Sequence, residues 1–240
     1  VAFEHVDFSY VPDRKLLQDI CIEAKPGMRF ALVGPTGCGK TTLINLLLRF
    51  YDIDAGRIMV DGRSSRDYTR ASLRRAFGNG AAGHLGCFEG TVAETSLTVA
   101  QMPRASRLSR RPSARTRTSL SLQLPGGYDT VIGEDGGTFS QGQKQLLCIA
   151  RVMLTDPAIL LLDEATSSID TRTELQVQTA FDELMAGRTS FVVAHRLSTI
   201  RNADCILVMR DGEIIERGTH DELLAAGGFY AELYRSQFAQ

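Results

Sequence analysis

Apolar and polar residues alternate along roughly the first thirty positions of the chain. The apolar positions are Val1, Phe3, Val6, Phe8 and Tyr10, followed by Leu17, Ile20, Ile22 and Ala24. A period of two is typical of strands with one buried face. Pro12-Asp13 and Pro26-Gly27 predict the turns that separate these strands.

Three later apolar runs are short and continuous, at 158–162, 190–194 and 205–209. Strands buried on both faces of a parallel sheet have this pattern. Helical patterns at 143–154 and 173–185 separate the runs. The predicted fold class is therefore α/β, with a mostly parallel sheet.

Two further segments add antiparallel strands to this prediction. Residues 56–62 form a short apolar stretch closed by Asp-Gly, and Asp211-Gly212 predicts a tight hairpin turn into 213–216. The tail at 221–238 is an amphipathic helix interrupted by Gly227-Gly228. An inserted, mostly helical region is expected between about residues 80 and 155.

The net charge and the cysteine spacing reduce the number of functional classes that the chain could belong to. The chain has 240 residues, 43% of them apolar and 23% charged, with a net charge of −1, so bulk charge indicates neither nucleic acid nor an anionic membrane as a partner. The five cysteines are Cys21, Cys38, Cys87, Cys148 and Cys205. Their dispersed spacing predicts reduced thiols rather than disulfides or a zinc site. Since the chain starts at Val1 without Met, we expect a fragment of a longer protein.

The most informative segment is a complete phosphate-binding loop. It reads Gly34-Pro35-Thr36-Gly37-Cys38-Gly39-Lys40-Thr41, after the apolar run 29–33 and before the helical stretch 42–48. Glycines let backbone N–H groups turn toward phosphate oxygens, and the helix adds its positive end. Lys40 is expected to reach the β- and γ-phosphates, and Thr41 to ligate Mg²⁺.

Residues 158–162 lead into two carboxylates, Asp163 and Glu164. Ligands bind at the carboxyl ends of strands in such sheets. Asp163 is expected to hold Mg²⁺ through water, and Glu164 to polarise the attacking water. The alternative is an acid-rich helix N-terminus, which is common.

Phe139-Ser140-Gln141-Gly142-Gln143 precedes the helical pattern at 144–154. Ser140 is a good N-cap, and with Gly142 it makes a second anion site. In this segment the chain resembles the nucleotide-binding domain of ABC transporters, whose signature usually begins with Leu rather than Phe139. A simple N-cap motif is the alternative.

The resemblance covers nearly the whole chain and is closest to bacterial multidrug and lipid exporters. It implies that Tyr10 stacks on adenine and that His195 senses the γ-phosphate. It also implies that the segment 130–136 contacts a transmembrane domain and that the segment 165–170 crosses a dimer interface. Taken singly, Tyr10 could be a strand-core residue, 130–136 a polar turn, 165–170 a helix cap, and His195 structural.

The expected nucleotide-binding residues are Tyr10, Gly34, Pro35, Thr36, Gly37, Cys38, Gly39, Lys40, Thr41, Thr42, Ser140, Gln141, Gly142, Gln143 and Asp170. Glu164 and His195 are the expected catalytic residues, and Thr41 and Asp163 the expected metal ligands. The cofactors implied are ATP and Mg²⁺.

The resemblance implies one ABC ATPase domain over 1–240, a phosphate-loop NTPase core with an antiparallel β subdomain. Residues 1–79 and 156–240 form this core, and about 80–155 form the helical subdomain. It implies a transport-coupled ATPase, of the translocase class, that powers export. A second nucleotide-binding domain would pair head to tail as a homodimer or heterodimer. A transmembrane domain, fused or separate, would place the chain on the cytoplasmic face of the cell membrane, with no nucleic acid as partner.

Two segments depart from the family pattern. The family has a Gln near residue 83 that contacts Mg²⁺ or water, whereas residues 78–87 contain none. Residues 95–121 contain six arginines and no aspartate or glutamate. Members of the family have acid-rich helices in this segment. This stretch is a basic binding surface, a disordered loop, or the product of a shifted reading frame; we favour the last.

The missing Gln supports a second functional hypothesis, an ATP-binding regulatory or interaction module with weak hydrolysis. A third, a soluble ABC ATPase of DNA repair or translation, is disfavoured because the chain has a single nucleotide domain and an exporter-like segment at 130–136.

Overall fold

The computed structural model describes residues 1–12, 14–79, 90–91, 131–132, 149, 152, 157–163, 171–194 and 197–238. The chain divides into two compact units. The first comprises Val1–Phe77, Ala158–Glu164 and Gly187–Gln240, and the second comprises Gly78–Pro157 and Ala165–Ala186. The predicted boundaries near residues 80 and 155 stay a prediction.

The strands are β1 (Ala2–Phe8), β2 (Leu17–Glu23), β3 (Arg29–Val33), β4 (Ala55–Val60), β5 (Arg63–Ser64), β6 (Phe77–Asn79), β7 (Gly90–Thr91), β8 (Val131–Ile132), β9 (Ile159–Asp163), β10 (Thr189–Val193), β11 (Cys205–Arg210) and β12 (Glu213–Gly218). The helices are α1 (Lys40–Leu47), α2 (Arg70–Ala76), α3 (Thr171–Met185), α4 (Leu197–Arg201), α5 (His220–Ala226) and α6 (Phe229–Phe238), with a 3₁₀ turn at Ser65–Asp67.

The central sheet has six strands in the order β12-β11-β3-β10-β9-β6. The pairings β11–β3, β3–β10 and β10–β9 are parallel, whereas β12 returns antiparallel to β11 from the hairpin at Asp211-Gly212. A second sheet, in the order β2-β1-β4-β5, is antiparallel throughout. These sheets confirm the predicted α/β class with its mostly parallel sheet and its antiparallel β region.

Both faces of the parallel strands are covered, as their continuous apolar sequences predict. Phe30 and Leu32 of β3 join a core that also contains α1 and the antiparallel sheet. Ala31 and Val33 of the same strand join a second core with α4, α5 and α6. Strand β3 is therefore held from both sides, and this fixes the position of the loop that follows it.

Helix α3, in the second unit, is amphipathic along its own length. Its buried residues are Val177, Ala180, Phe181, Leu184 and Met185, which lie three or four positions apart on one face. None of the helices within the described ranges combines the length and the hydropathy that a membrane span needs.

The two C-terminal helices begin at well-formed caps. Thr219 and Glu222 form a capping box at the start of α5. The Glu216 carboxylate accepts hydrogen bonds from the N–H groups of Phe229 and Tyr230, at 2.6 and 2.9 Å, at the start of α6. The sequence predicted the break at Gly227-Gly228, but not that a β12 side chain would cap the helix beyond it.

A buried polar pair joins these two helices. Nδ1 of His220 lies 2.7 Å from the Tyr230 hydroxyl, and both side chains are buried. Burial lowers the pKa of His220 below its ordinary value of 6.5, and the nearby positive charge of Arg201 lowers it further, while Asp221 opposes the shift. Burial also raises the pKa of Tyr230 to about 12.

Because the folded chain resists protonation of His220, the unfolded chain binds more protons below pH 6.5. The free energy of unfolding should therefore fall as pH drops from about 7.5 to about 5.5. His220→Gln should reduce this dependence, measured by urea unfolding at both pH values. Tyr230→Phe, which keeps the burial, should retain it. Equal pH dependence in wild type and His220→Gln would contradict this assignment.

Candidate nucleotide-binding site

The loop Gly34–Gly39 connects β3 to α1 at the carboxyl edge of the central sheet. Gly34 has a φ of 152°, and a Cβ built there would lie 2.1 Å from the Met209 carbonyl oxygen of β11. Gly39 has a φ of 105°, and its Cβ would lie 2.5 Å from Leu17 Cδ2. Neither position tolerates a side chain, so the two glycines permit the close packing that shapes the loop.

The start of α1 is suited to an anion. Its N-cap is Gly39, so no side chain caps the first N–H groups of the helix. The first turn also contains no acidic residue. The N–H of Leu43 donates to Gly39 O at 2.9 Å, so the N–H groups of Lys40, Thr41 and Thr42 lie before the helical ladder begins. Phosphate oxygens are the natural partners for such groups.

Lys40 is folded into its own loop. It is 8% exposed, and its Nζ donates to the carbonyls of Gly34 at 2.7 Å and Pro35 at 2.9 Å. Nζ also lies 3.7 Å from Cys38 Sγ. The ammonium group is therefore confined within the loop, where its charge favours phosphate.

Thr41 and Asp163 meet at the edge of the sheet. The Thr41 hydroxyl donates to Asp163 Oδ2 at 3.4 Å, although the two residues are 122 positions apart. Asp163 ends β9 and pairs with Val193 of β10, which in turn neighbours β3. A hydroxyl and a carboxylate are the hard oxygen donors that Mg²⁺ prefers, so this pair fits a magnesium ion beside bound phosphate.

Tyr10 lies beside the loop, beyond the end of β1. Its hydroxyl is 3.2 Å from Thr42 Oγ1, and its side chain is 49% exposed, which argues against the strand-core alternative. Tyr51 packs edge-on against it, with ring centroids 4.9 Å apart, and is itself exposed. Sequence reasoning missed Tyr51, although an aromatic pair at 50–51 directly after a helical pattern was a visible signal.

The structure thus brings together the loop 34–42, Tyr10 and Asp163. The remaining predicted site residues lie outside the described residues. They are Glu164, Ser140, Gln141, Gly142, Gln143, Asp170 and His195. The atypical segment 78–87 beyond residue 79, the atypical segment 95–121 and most of the exporter-like segment 130–136 are likewise outside the described ranges.

Comparison with known proteins places this site in a family. The profile of the ABC transporter family matches residues 17–167. A fatty acid ABC transporter ATP-binding/permease protein of Mycobacterium bovis is 46% identical over 98% of this chain and 37% of its own length. An ATP-dependent lipid A-core flippase of Salmonella typhimurium is 46% identical over 100% of this chain and 41% of its own length.

A solved structure extends the likeness to three dimensions. A bacterial Atm1-family ABC exporter with ATP bound is similar to this chain with a TM-score of 0.84 and 37% identity. The match covers 100% of this chain and 42% of that one. The chain therefore spans about two fifths of the length of the relatives that it matches.

The close approach at Gly34 yields a stability prediction. Gly34→Ala should lower the free energy of unfolding by more than Gly27→Ala. Both glycines have a positive φ, 152° and 82°, but of the two only Gly34 has an atom within 4 Å of a built Cβ, the Met209 carbonyl oxygen being nearest. The control should cost about 1–2 kcal/mol from backbone strain alone. Urea unfolding of both variants measures the difference. An equal loss would show that the Met209 carbonyl moves aside at little cost.

Proposed function

The chain belongs to the ABC transporter family, and we propose that it is the ATP-hydrolysing domain that powers export through a membrane partner. ATP binding follows from the family; hydrolysis coupled to export, the metal and the partners are the proposal. The observation that carries it is the 3.4 Å contact between Thr41 and Asp163. It sets an oxygen-rich pair beside a phosphate-binding loop, as Mg²⁺-dependent phosphoryl transfer requires.

The described residues divide the work of binding. The N–H groups of residues 40–42 and the Lys40 ammonium hold the phosphates, and Tyr10 offers an exposed aromatic face for the adenine. Thr41 and Asp163 hold the metal, which when bound neutralises phosphate charge. Glu164, the next residue after Asp163, is proposed to orient and deprotonate the attacking water, and His195 to contact the γ-phosphate.

The names of the relatives support the proposed partners. The two curated relatives described above are named as an ATP-binding/permease protein and as a flippase, each longer than this chain. We propose that a transmembrane domain, fused or separate, accompanies this chain at the cytoplasmic face of the membrane. A second nucleotide-binding domain would supply the signature Ser140–Gln143 to the ATP held here, and hydrolysis would let the pair open.

The metal pair can be tested by substitution. Thr41→Val removes a hydroxyl from the proposed metal site while keeping the side chain's size. Turnover should fall, and more Mg²⁺ should be needed for half-maximal rate, since one oxygen donor is lost. Thr179→Val is the matched control, because this exposed threonine lies on α3, outside the loop, and its substitution should leave the Mg²⁺ requirement unchanged. Steady-state ATPase assays across a Mg²⁺ series measure both. An unchanged requirement in Thr41→Val would remove Thr41 from the metal site.

Glu164→Gln tests catalysis separately from binding. Turnover should fall by at least about a hundredfold, as expected for loss of a general base, while ATP affinity is retained. Fluorescent-nucleotide titration and single-turnover hydrolysis measure the two quantities. Full turnover in this variant would refute the assigned role. Wild-type turnover no faster than that of Glu164→Gln, with tight ATP binding, would instead favour the regulatory module suggested by the missing Gln.

A further inference from the structure

Three side chains with metal-binding atoms cluster on the exposed face of the β1–β2 pair. They are His5, Asp19 and Cys21. Their ligand atoms all lie within 4.8 Å of one another. We propose that this cluster binds a borderline-soft divalent cation, with Zn²⁺ the best fit, as a site distinct from that for ATP.

Two β-bulges bring these residues to one face. Val6 pairs directly with Ile20, and both point into the core. Register shifts flank this pair on both sides, one on each strand. His5 then lies on the outward face opposite Cys21. Asp19 lies on the same face, two residues before Cys21 in β2. Bulges of this kind re-aim side chains and are common beside functional sites.

The backbone at both bulges is in the left-handed region. His5 has a φ of 51° and Asp19 a φ of 49°, a conformation that is unfavourable for residues other than glycine. Neighbours hold it in place. The His5 carbonyl packs where a Cβ on Gly56 would stand, 2.1 Å away. The Asp19 N–H donates to Asp7 Oδ1 at 2.8 Å. These contacts fix the backbone from which the His5 and Asp19 side chains project.

The spacing suits one small ion. Cys21 Sγ lies 3.6 Å from His5 Nδ1, and ligands of a tetrahedral zinc ion are separated by roughly 3.3–3.8 Å for ordinary bond lengths. His5 Nδ1 and Asp19 Oδ1 are 2.6 Å apart, a hydrogen bond. The metal replaces the shared proton, and the exposed carboxylate moves outward by less than 1 Å or so to admit it.

The ligand types and charges also fit. Imidazole nitrogen, thiolate sulfur and carboxylate oxygen together match Zn²⁺ better than Mg²⁺ or Ca²⁺, which prefer oxygen alone. One thiolate and one carboxylate balance the charge of a divalent ion. All three side chains are at least partly exposed, so water can complete four-coordination.

The dispersed spacing of the cysteines predicted no zinc site. In this cluster, His5 is separated from Asp19 by 14 positions and from Cys21 by 16. Short local spacings such as Cys-x-x-Cys are the usual sign of zinc ligands. Here strand pairing, not local sequence, brings the ligands together. Among the residues that the structure describes, no second group of three such side chains occurs.

Titration of the nucleotide-free chain with Zn²⁺ against a chromophoric chelator tests the site. Wild type should bind one equivalent saturably, and Co²⁺ should give a thiolate-to-cobalt charge-transfer band. Cys21→Ser, His5→Asn and Asp19→Asn should each weaken binding by at least about tenfold. Asn tolerates the left-handed backbone, so folding should survive, with thermal unfolding as the check.

Two controls separate this site from others. Asp61→Asn changes an exposed aspartate with the same backbone conformation, φ 48°, and should bind Zn²⁺ as wild type does. Lys40→Met, in the phosphate loop, should also keep the site. No saturable binding by wild type would overturn the proposal. So would a loss that follows Cys21→Ser alone, because that indicates a simple thiol adduct, or equal affinity in all three ligand variants and wild type.

Discussion

The candidate nucleotide site depends on one close contact, between the backbone of Gly34, where the phosphate loop leaves β3, and the backbone carbonyl of Met209 on β11. Gly34 passes so close to the Met209 carbonyl that any side chain would collide with it. The contact is possible because β3 and β11 are adjacent parallel strands, each buried on both faces. Since a strand packed on both sides cannot shift without opening two cores, the loop starts from a fixed point. This fixed point determines where α1 begins, and therefore where the Lys40 amine and Thr41 lie.

Electrostatics at the loop reinforce this geometry. The positive end of α1 has no acid in its first turn, and the Lys40 ammonium is turned inward to its own loop carbonyls. Both features favour an anion at the same place. The Asp163 carboxylate, carried there by β9, supplies negative charge that a cation can share with phosphate. A loop suited to phosphate and a carboxylate suited to a metal ion thus lie at one edge of one sheet.

The antiparallel sheet contributes in two different ways through a single strand. Beyond its carboxyl end, β1 leads to Tyr10, which reaches Thr42 in the first turn of α1. Earlier in the strand, a bulge turns His5 outward toward Asp19 and Cys21. The buried residues between them, Val6 and Phe8, keep the strand seated in the core. One strand therefore supports the nucleotide site and, on its outer face, the proposed metal site.

The sequence by itself determined the parallel strands, the phosphate loop and Asp163, because continuous apolar runs and glycine spacing are local properties. It also predicted the Asp211-Gly212 hairpin and the break at Gly227-Gly228. Short elements such as α2, α4 and β5 were missed, since few residues carry their pattern. The sequence also predicted that Thr41 and Asp163 share one metal site, and the structure places them in contact. Tertiary structure alone decided the other meetings of distant residues: Tyr10 with Tyr51, Glu216 with the start of α6, and His5 with Cys21. Strand order and bulges set those meetings, and neither is encoded in the spacing of residues along the chain.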